Sequence, residues 1–179
     1  MFFRRIDRPL VEYFYVVDED DRVIGKATRE ECHEKGLIHR SVYVFILNSK
    51  GELFIQKRSP LKDLYPGYYT GSATGHVEYG EDYTQAALRE LKEELGISPP
   101  IKFVSKFKCF SETEKELSAL FIGLWDGKIR FNNKEISEGF FMKFEELKRD
   151  IETGKKKFAP GFYVALKAFE RFRTQSSSA

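Results

Sequence analysis

Three glutamates, Glu90, Glu93 and Glu94, stand at i, i+3 and i+4 within Thr84–Leu95, TQAALRELKEEL. At about 100° per residue, a helix over this segment gathers their carboxylates on one patch beside an apolar stripe of Ala87, Leu88, Leu91 and Leu95. Each like-charge pair at that spacing costs a helix about 0.2–0.5 kcal/mol, and Arg89 and Lys92 offer only partial compensation. A hard divalent cation such as Mg²⁺ would relieve the repulsion and keep positions open for water and phosphate oxygens. A solvated acidic face is the other reading of these three residues alone.

The elements around the patch follow from punctuation and periodicity. Thr84 is the expected N-cap of the helix and Gly96 its stop. Upstream, Pro60, Pro66, Gly67, Gly71, Gly75 and Gly80 make Ser59–Gly80 mostly loop, with a short strand around Tyr69–Thr74. Val11–Val17 and Arg22–Thr28 read as a hairpin around the acidic turn Asp18–Asp21, and Arg29–Lys35 as a short helix ending at Gly36. Arg40–Asn48 and Glu52–Lys57 read as a second hairpin. Lys102–Phe110, Leu117–Trp125 and Gly139–Lys143 are later strands, and Phe144–Thr153 and Gly161–Arg173 closing helices. Strands interleaved with helices in this way predict an α/β/α sandwich around a mixed β-sheet.

Composition narrows the class of function. The chain has 179 residues with 41% hydrophobic, 32% charged and 15% aromatic side chains, the balance of one globular domain. Residues 11–173 form that domain, residues 1–10 an N-terminal arm, and the tail Thr174–Ala179, TQSSSA, is expected to be disordered. Thirty basic against 28 acidic residues leave a charge of +2, which supplies no large field for a nucleic-acid duplex or an anionic membrane. The longest uncharged apolar stretch, Ser41–Asn48, is far short of a membrane span, and Arg4, Arg5, Asp7 and Arg8 interrupt any early apolar leader, so the expected location is the cytoplasm. Cys32 and Cys109 cannot build a disulfide framework and read as buried free thiols.

The flanks of the glutamates make a longer pattern. Gly75–Ile97, GHVEYGEDYTQAALRELKEELGI, fits G-x5-E-x7-R-E-U-x-E-E-x-G-U, where U is apolar, at every specified position. Gly75, Glu81, Arg89, Glu90, Glu93, Glu94 and Gly96 are the fixed letters, and Leu91 and Ile97 the apolar ones. This is the Nudix box, and the chain resembles the Nudix hydrolase superfamily. The resemblance implies a sandwich fold that hydrolyses nucleoside or other diphosphates joined to a second group, using Mg²⁺ or Mn²⁺ and an activated water. It implies metal-binding roles for Glu90, Glu93, Glu94 and the Gly75 carbonyl, with Glu90 also matching a general base of some members. Arg89 and Glu81 match positions that orient the glutamates and brace the loop.

Val23–Gly67, VIGKATREECHEKGLIHRSVYVFILNSKGELFIQKRSPLKDLYPG, is similar to the N-terminal half of the isopentenyl-diphosphate isomerase-like branch. Through that resemblance Arg58 and Lys62 match diphosphate contacts; otherwise they are ordinary exposed cations. Isomerases of the branch exchange protons at carbon with a cysteine and a glutamate, yet Thr74 stands where the cysteine would be. A hydroxyl is a far weaker acid than a thiol, and the box is intact, so hydrolysis is favoured over isomerisation. The complete glutamate set argues against a non-catalytic diphosphate-binding module. His39 and His76 match histidine metal ligands of the isomerases, His33 does so at a shifted spacing, and Glu114 and Glu116 match their paired glutamates. In a strand those two glutamates share a face, so the five residues make a candidate second, transition-metal site. The alternative is hydrogen-bonded structural histidines and a solvated strand face. Tyr65, Tyr68 and Tyr69 either stack on a base or pack the fold.

Overall fold

The computed structural model describes residues 11–177, with side chains through residue 175. The expected N-terminal arm, 1–10, and the last two residues of the tail lie outside the described residues. In chain order the elements are β1 (Tyr13–Val17), β2 (Val23–Thr28), α1 (Arg29–Lys35), β3 (His39–Leu47), β4 (Leu53–Arg58), β5 (Tyr69–Thr70), β6 (Ala73–His76), α2 (Tyr83–Glu90), a π-helical turn (Leu91–Leu95), β7 (Ile101–Phe110), β8 (Lys115–Leu124), β9 (Ile136–Met142), α3 (Phe144–Thr153) and α4 (Pro160–Ser177).

The nine strands form one mixed sheet organised around β3. β8 runs parallel to β3 along its whole length, from His39↔Glu116 to Leu47↔Leu124. The other edge of β3 is shared by β1 at Val16↔His39, by β6 over Ser41–Val44, and by β4 at Leu47↔Leu53. The expected hairpin of β3 and β4 is therefore reduced to its turn. Gly51, at φ 73°, closes that turn, but the strands then diverge because β6 takes the edge of β3 while β9 and β5 pair with β4.

Side chains alternate across β3, and each set meets a different layer of helix. Val42, Val44 and Ile46 pack with Ala73, Ala119 and Phe121 against Ala86, Ala87, Leu91 and Leu95. Tyr43 and Phe45 pack with Leu53, Ile55 and Leu120 against Leu147 of α3 and Phe162, Ala165, Leu166 and Phe169 of α4. The result is the expected α/β/α sandwich.

Several boundaries differ from expectation. Asp82, not Thr84, caps α2: its carboxylate accepts from Gln85 N at 2.8 Å, and Gln85 Oε1 accepts from Asp82 N at 2.9 Å. Leu88 is 38% exposed while Ala86 is fully buried, so the inward stripe is Ala86, Ala87, Leu91 and Leu95. Starting the helix at Tyr83 and widening its end into a π-turn sets that orientation. α4 continues four residues past Arg173, with Thr174 Oγ1 donating to Glu170 O at 3.0 Å, so helix replaces expected disorder at 174–177. Cys32 and Cys109 are free and buried. No helix among the described residues is long and apolar enough to cross a membrane.

Candidate active site

Glu90 closes α2 directly beneath β6. A Cβ built on Gly75 would lie 2.1 Å from Glu90 Oε1, so only glycine lets the strand and the carboxylate approach this closely. Arg89 spans the loop between them: Nε and Nη2 donate to Glu81 Oε1 and Oε2 at 2.7 and 2.9 Å, Nη1 to Glu90 Oε1 at 2.6 Å, and Nη2 also to His76 O at 2.8 Å. Arg89 and Glu81 thus brace the loop and orient Glu90. The π-turn, a feature frequent at functional sites, carries Glu93 and Glu94. Glu94 is buried and accepts from Gln56 Nε2 at 2.8 Å and Thr74 N at 3.2 Å, while Glu93 is partly exposed and lies 3.8 Å from Arg89.

Burial pushes the Glu90 carboxyl up to about 8; Arg89 opposes the shift and the neighbouring Glu94 and Glu93 charges reinforce it. Burial likewise raises Glu94 to about 7, against Lys62 and with the help of Glu135. Two buried carboxylates that resist ionisation are a donor set a hard divalent cation would satisfy. Glu90 and Glu94 are such donors, although among the described residues the three box glutamates do not draw their carboxylate oxygens within 4.8 Å of one another as the three histidines do their ring nitrogens.

A different cluster occupies the opposite face of β6. The register pairs Ser41 with His76, Tyr43 with Thr74, and His39 with Glu116, so these side chains share one face while Gly75 and Val42 look toward Glu90. His33 reaches in from α1, and one ring nitrogen from each of His33, His39 and His76 lies within 4.8 Å of the others. Glu116 Oε1 is 3.1 Å from His76 Nε2 and 3.8 Å from His39 Nε2. His39 Nδ1 is 2.9 Å from Leu37 O, which makes it the donor nitrogen and leaves the Nε2 lone pair free. Nε2 of His33 and of His39 are buried without a hydrogen-bond partner. Phe14 stacks on His39 and His76 at 5.4 and 4.7 Å and shuts that side from water.

Burial drives His39 down to about 4 and lowers His33 as well. Burial works against the Glu116 charge, yet the His76 hydrogen bond and the two imidazoles outweigh it and hold that carboxyl at about 2. Glu114, pushed up to about 7 by burial and by Glu116, lies just before β8 on the same side. Neutral imidazoles with orphaned nitrogens beside an ionised carboxylate fit a transition metal.

Arg58, Lys62, Thr74, Gly75, His76, Glu114 and Glu116 all line one cleft of about 80 Å³. Arg58 Nε donates to Leu64 O at 3.0 Å, and Lys62 is ion-paired with Glu135. Of the three tyrosines, Tyr65 lines the cleft; Tyr69 packs on Phe140 and Phe158 and donates to Glu138, and Tyr68 packs edge-on against Tyr65.

Sequence reasoning missed three residues. Arg29, also in the cleft, opens α1 one turn before His33 and reaches Asp63 at 2.7 Å. Gln56 was signalled by its place inside the apolar strand LFIQKR. Glu135 sits in a loop with no pattern to mark it.

The NUDIX domain family model matches residues 37–162. The chain belongs to the Nudix family. An uncharacterised Nudix hydrolase of Pseudomonas aeruginosa is 41% identical over 130 residues, 72% of this chain and 77% of that protein. An isopentenyl-diphosphate Δ-isomerase of Serratia proteamaculans is 32% identical over 161 residues, 87% of this chain and 90% of the isomerase. A crystal structure of a Deinococcus radiodurans protein superposes with a TM-score of 0.75 at 28% identity, covering 88% of this Nudix chain and 99% of that one. Nudix relatives named as hydrolases and as isomerases thus match most of the same sequence.

Proposed function

We propose that the protein is a Mg²⁺- or Mn²⁺-dependent Nudix hydrolase that cleaves the diphosphate linkage of a nucleoside diphosphate derivative or a related diphosphate. The observation that carries this reading is the pair of buried, braced carboxylates, Glu90 and Glu94, behind Gly75, which itself borders the cleft that Arg29, Arg58 and Lys62 line. Glu90, Glu93, Glu94 and the Gly75 carbonyl would hold the cation, whose chemistry is to offset phosphate charge and ease deprotonation of water. Arg89 positions Glu90, and Glu90 takes the proton from the attacking water. The water oxygen bonds to one phosphorus as the bridging oxygen leaves with the other phosphate. Arg58, Lys62 and Arg29 fix the diphosphate, the two arginines as forks and Lys62 as a point charge once it parts from Glu135. The substrate is small, and near-neutral charge supports neither a duplex nor a membrane partner; the setting is the cytoplasm.

The His33–His39–His76–Glu116 cluster, with Glu114 beside it, we assign to a second metal. That cluster and the isomerase-named relatives favour a second reading, isopentenyl-diphosphate isomerisation, against which stands Thr74 in the cleft without an acidic thiol. Incubation with Mg²⁺ and a panel of nucleoside diphosphate derivatives and isopentenyl diphosphate separates the two. Phosphate-containing cleavage products support hydrolysis; the double-bond isomer without cleavage overturns it.

A further inference from the structure

One wall of the cleft carries neither metal-binding nor cationic side chains: Tyr43 of β3 with Ala159 and Gly161 at the start of α4. Tyr43 is 9% exposed, and its ring packs against Phe107 at 5.6 Å between centroids. Its hydroxyl ends against the helix, where a Cβ on Gly161 would lie 1.9 Å from Oη. No hydrogen bond to Tyr43 Oη is formed among the described residues, and the oxygen is not one of the fully buried unpartnered atoms, so its hydrogen-bonding capacity is open to the cleft. Phenylalanine would fill the same place in the Phe45–Phe162–Phe169 cluster, and alanine at 161 would favour the helix. Two residues in contact that packing alone does not require serve one arrangement: they hold a phenol donor at the cleft beside a helix N-terminus.

We propose that Tyr43 Oη and the first turn of α4 form the subsite for the group joined to the diphosphate, recognising an oxygen acceptor of the kind a sugar carries. The first N–H groups of an 18-residue helix lack intrahelical acceptors, and its dipole favours an electron-rich atom. Phe162 N–H is already bonded to Ala159 O, which leaves the Gly161 end nearest the phenol. Thr74, the cross-strand partner of Tyr43, brings a second hydroxyl to the same cleft. A hydrocarbon tail offers none of these donors a partner, so the subsite selects sugar-linked over isoprenoid diphosphates. This rests on the diphosphate-hydrolase reading above.

The test is calorimetric binding of ADP-ribose, UDP-glucose, isopentenyl diphosphate and inorganic pyrophosphate in Ca²⁺, with wild type, Tyr43→Phe and Gly161→Ala. Near-UV circular dichroism checks that each variant is folded. Tyr43→Phe is expected to weaken a sugar-linked diphosphate about fivefold, the worth of one hydrogen bond, and to leave pyrophosphate and isopentenyl diphosphate unchanged. Gly161→Ala, which displaces the hydroxyl, should give the same pattern. Equal losses for all probes, no loss for either sugar-linked probe, or a wild-type preference for isopentenyl diphosphate would overturn the subsite. A wild type that hydrolyses a sugar-linked diphosphate while Tyr43→Phe binds it equally well sinks the subsite alone. Failure of wild type to bind any probe removes both proposals.

Discussion

Glu90 and Glu94 are held where a carboxylate is stabler neutral than charged, and the consequences can be measured. With Glu90 raised from 4.5 to about 8, the native protein keeps a proton that the unfolded chain has released across that interval. Stability of the metal-free protein therefore falls as pH rises through about 8. Thermal melts from pH 7 to 9, above the range in which buried His33 and His39 act in the opposite sense, should show the fall, and Glu90→Gln should flatten it. Added Mg²⁺ should raise the melting temperature more at pH 8.5 than at pH 6.5, because protons compete for the same oxygens. Glu93→Gln and Glu94→Gln each keep side-chain volume and remove a charge, so turnover should drop at least about 100-fold with the fold retained. Near wild-type activity at saturating Mg²⁺ in either would remove that glutamate from the site.

At the level of elements, α2 and β6 position the chemistry together. Asp82→Ala removes the cap and half of a reciprocal pair, which should cost about 1 kcal/mol in denaturant unfolding. The same change at Thr84, exposed and outside the cap, should cost much less. Gly75→Ala is expected to be more damaging to activity than to stability. Its methyl would meet Glu90 Oε1, Cδ and Cγ between 2.1 and 2.8 Å, and the carboxylate must move aside. A Gly75→Ala enzyme with unchanged kcat would show that the close approach of β6 to Glu90 is packing alone.

Across the whole molecule, one short strand separates two chemistries. β6 turns Gly75 toward the glutamates of α2 and its π-turn and turns Thr74 and His76 toward the histidine cluster, so His76 and Glu116 border the cleft while the glutamates lie behind Gly75 on the other face of the sheet. Metal analysis of protein purified without chelator should find Zn²⁺ or Mn²⁺ near one equivalent, lost in the His39→Ala, His76→Ala double variant while Mg²⁺-dependent stabilisation persists. No metal above background and no change in affinity in that variant would return the histidines to a structural role. Arg58→Ala and Lys62→Ala should raise KM more than they lower kcat, as expected of contacts made equally in ground and transition states. An unmoved KM in either would make that residue an ordinary surface cation.

The sequence by itself determined the sandwich, the box glutamates and the family, because periodicity and the glycine and glutamate spacings of the box are local along the chain. It also named His33, His39, His76, Glu114 and Glu116, but only through resemblance, since no local pattern links residues drawn from α1, β3, β6 and the start of β8. Tertiary structure alone decided that they meet. It joined β3 to β8 in parallel and inserted β6 beside β3, contacts between residues about thirty or more apart whose pairing energy no sequence window contains. The same long-range packing brought Arg29 into the cleft, set Gln56 and Glu135 around Glu94 and Lys62, and placed the Tyr43 hydroxyl against Gly161. Burial, which raises Glu90 and Glu94 and keeps the His39 imidazole neutral, is likewise a property of what surrounds a residue rather than of what precedes and follows it.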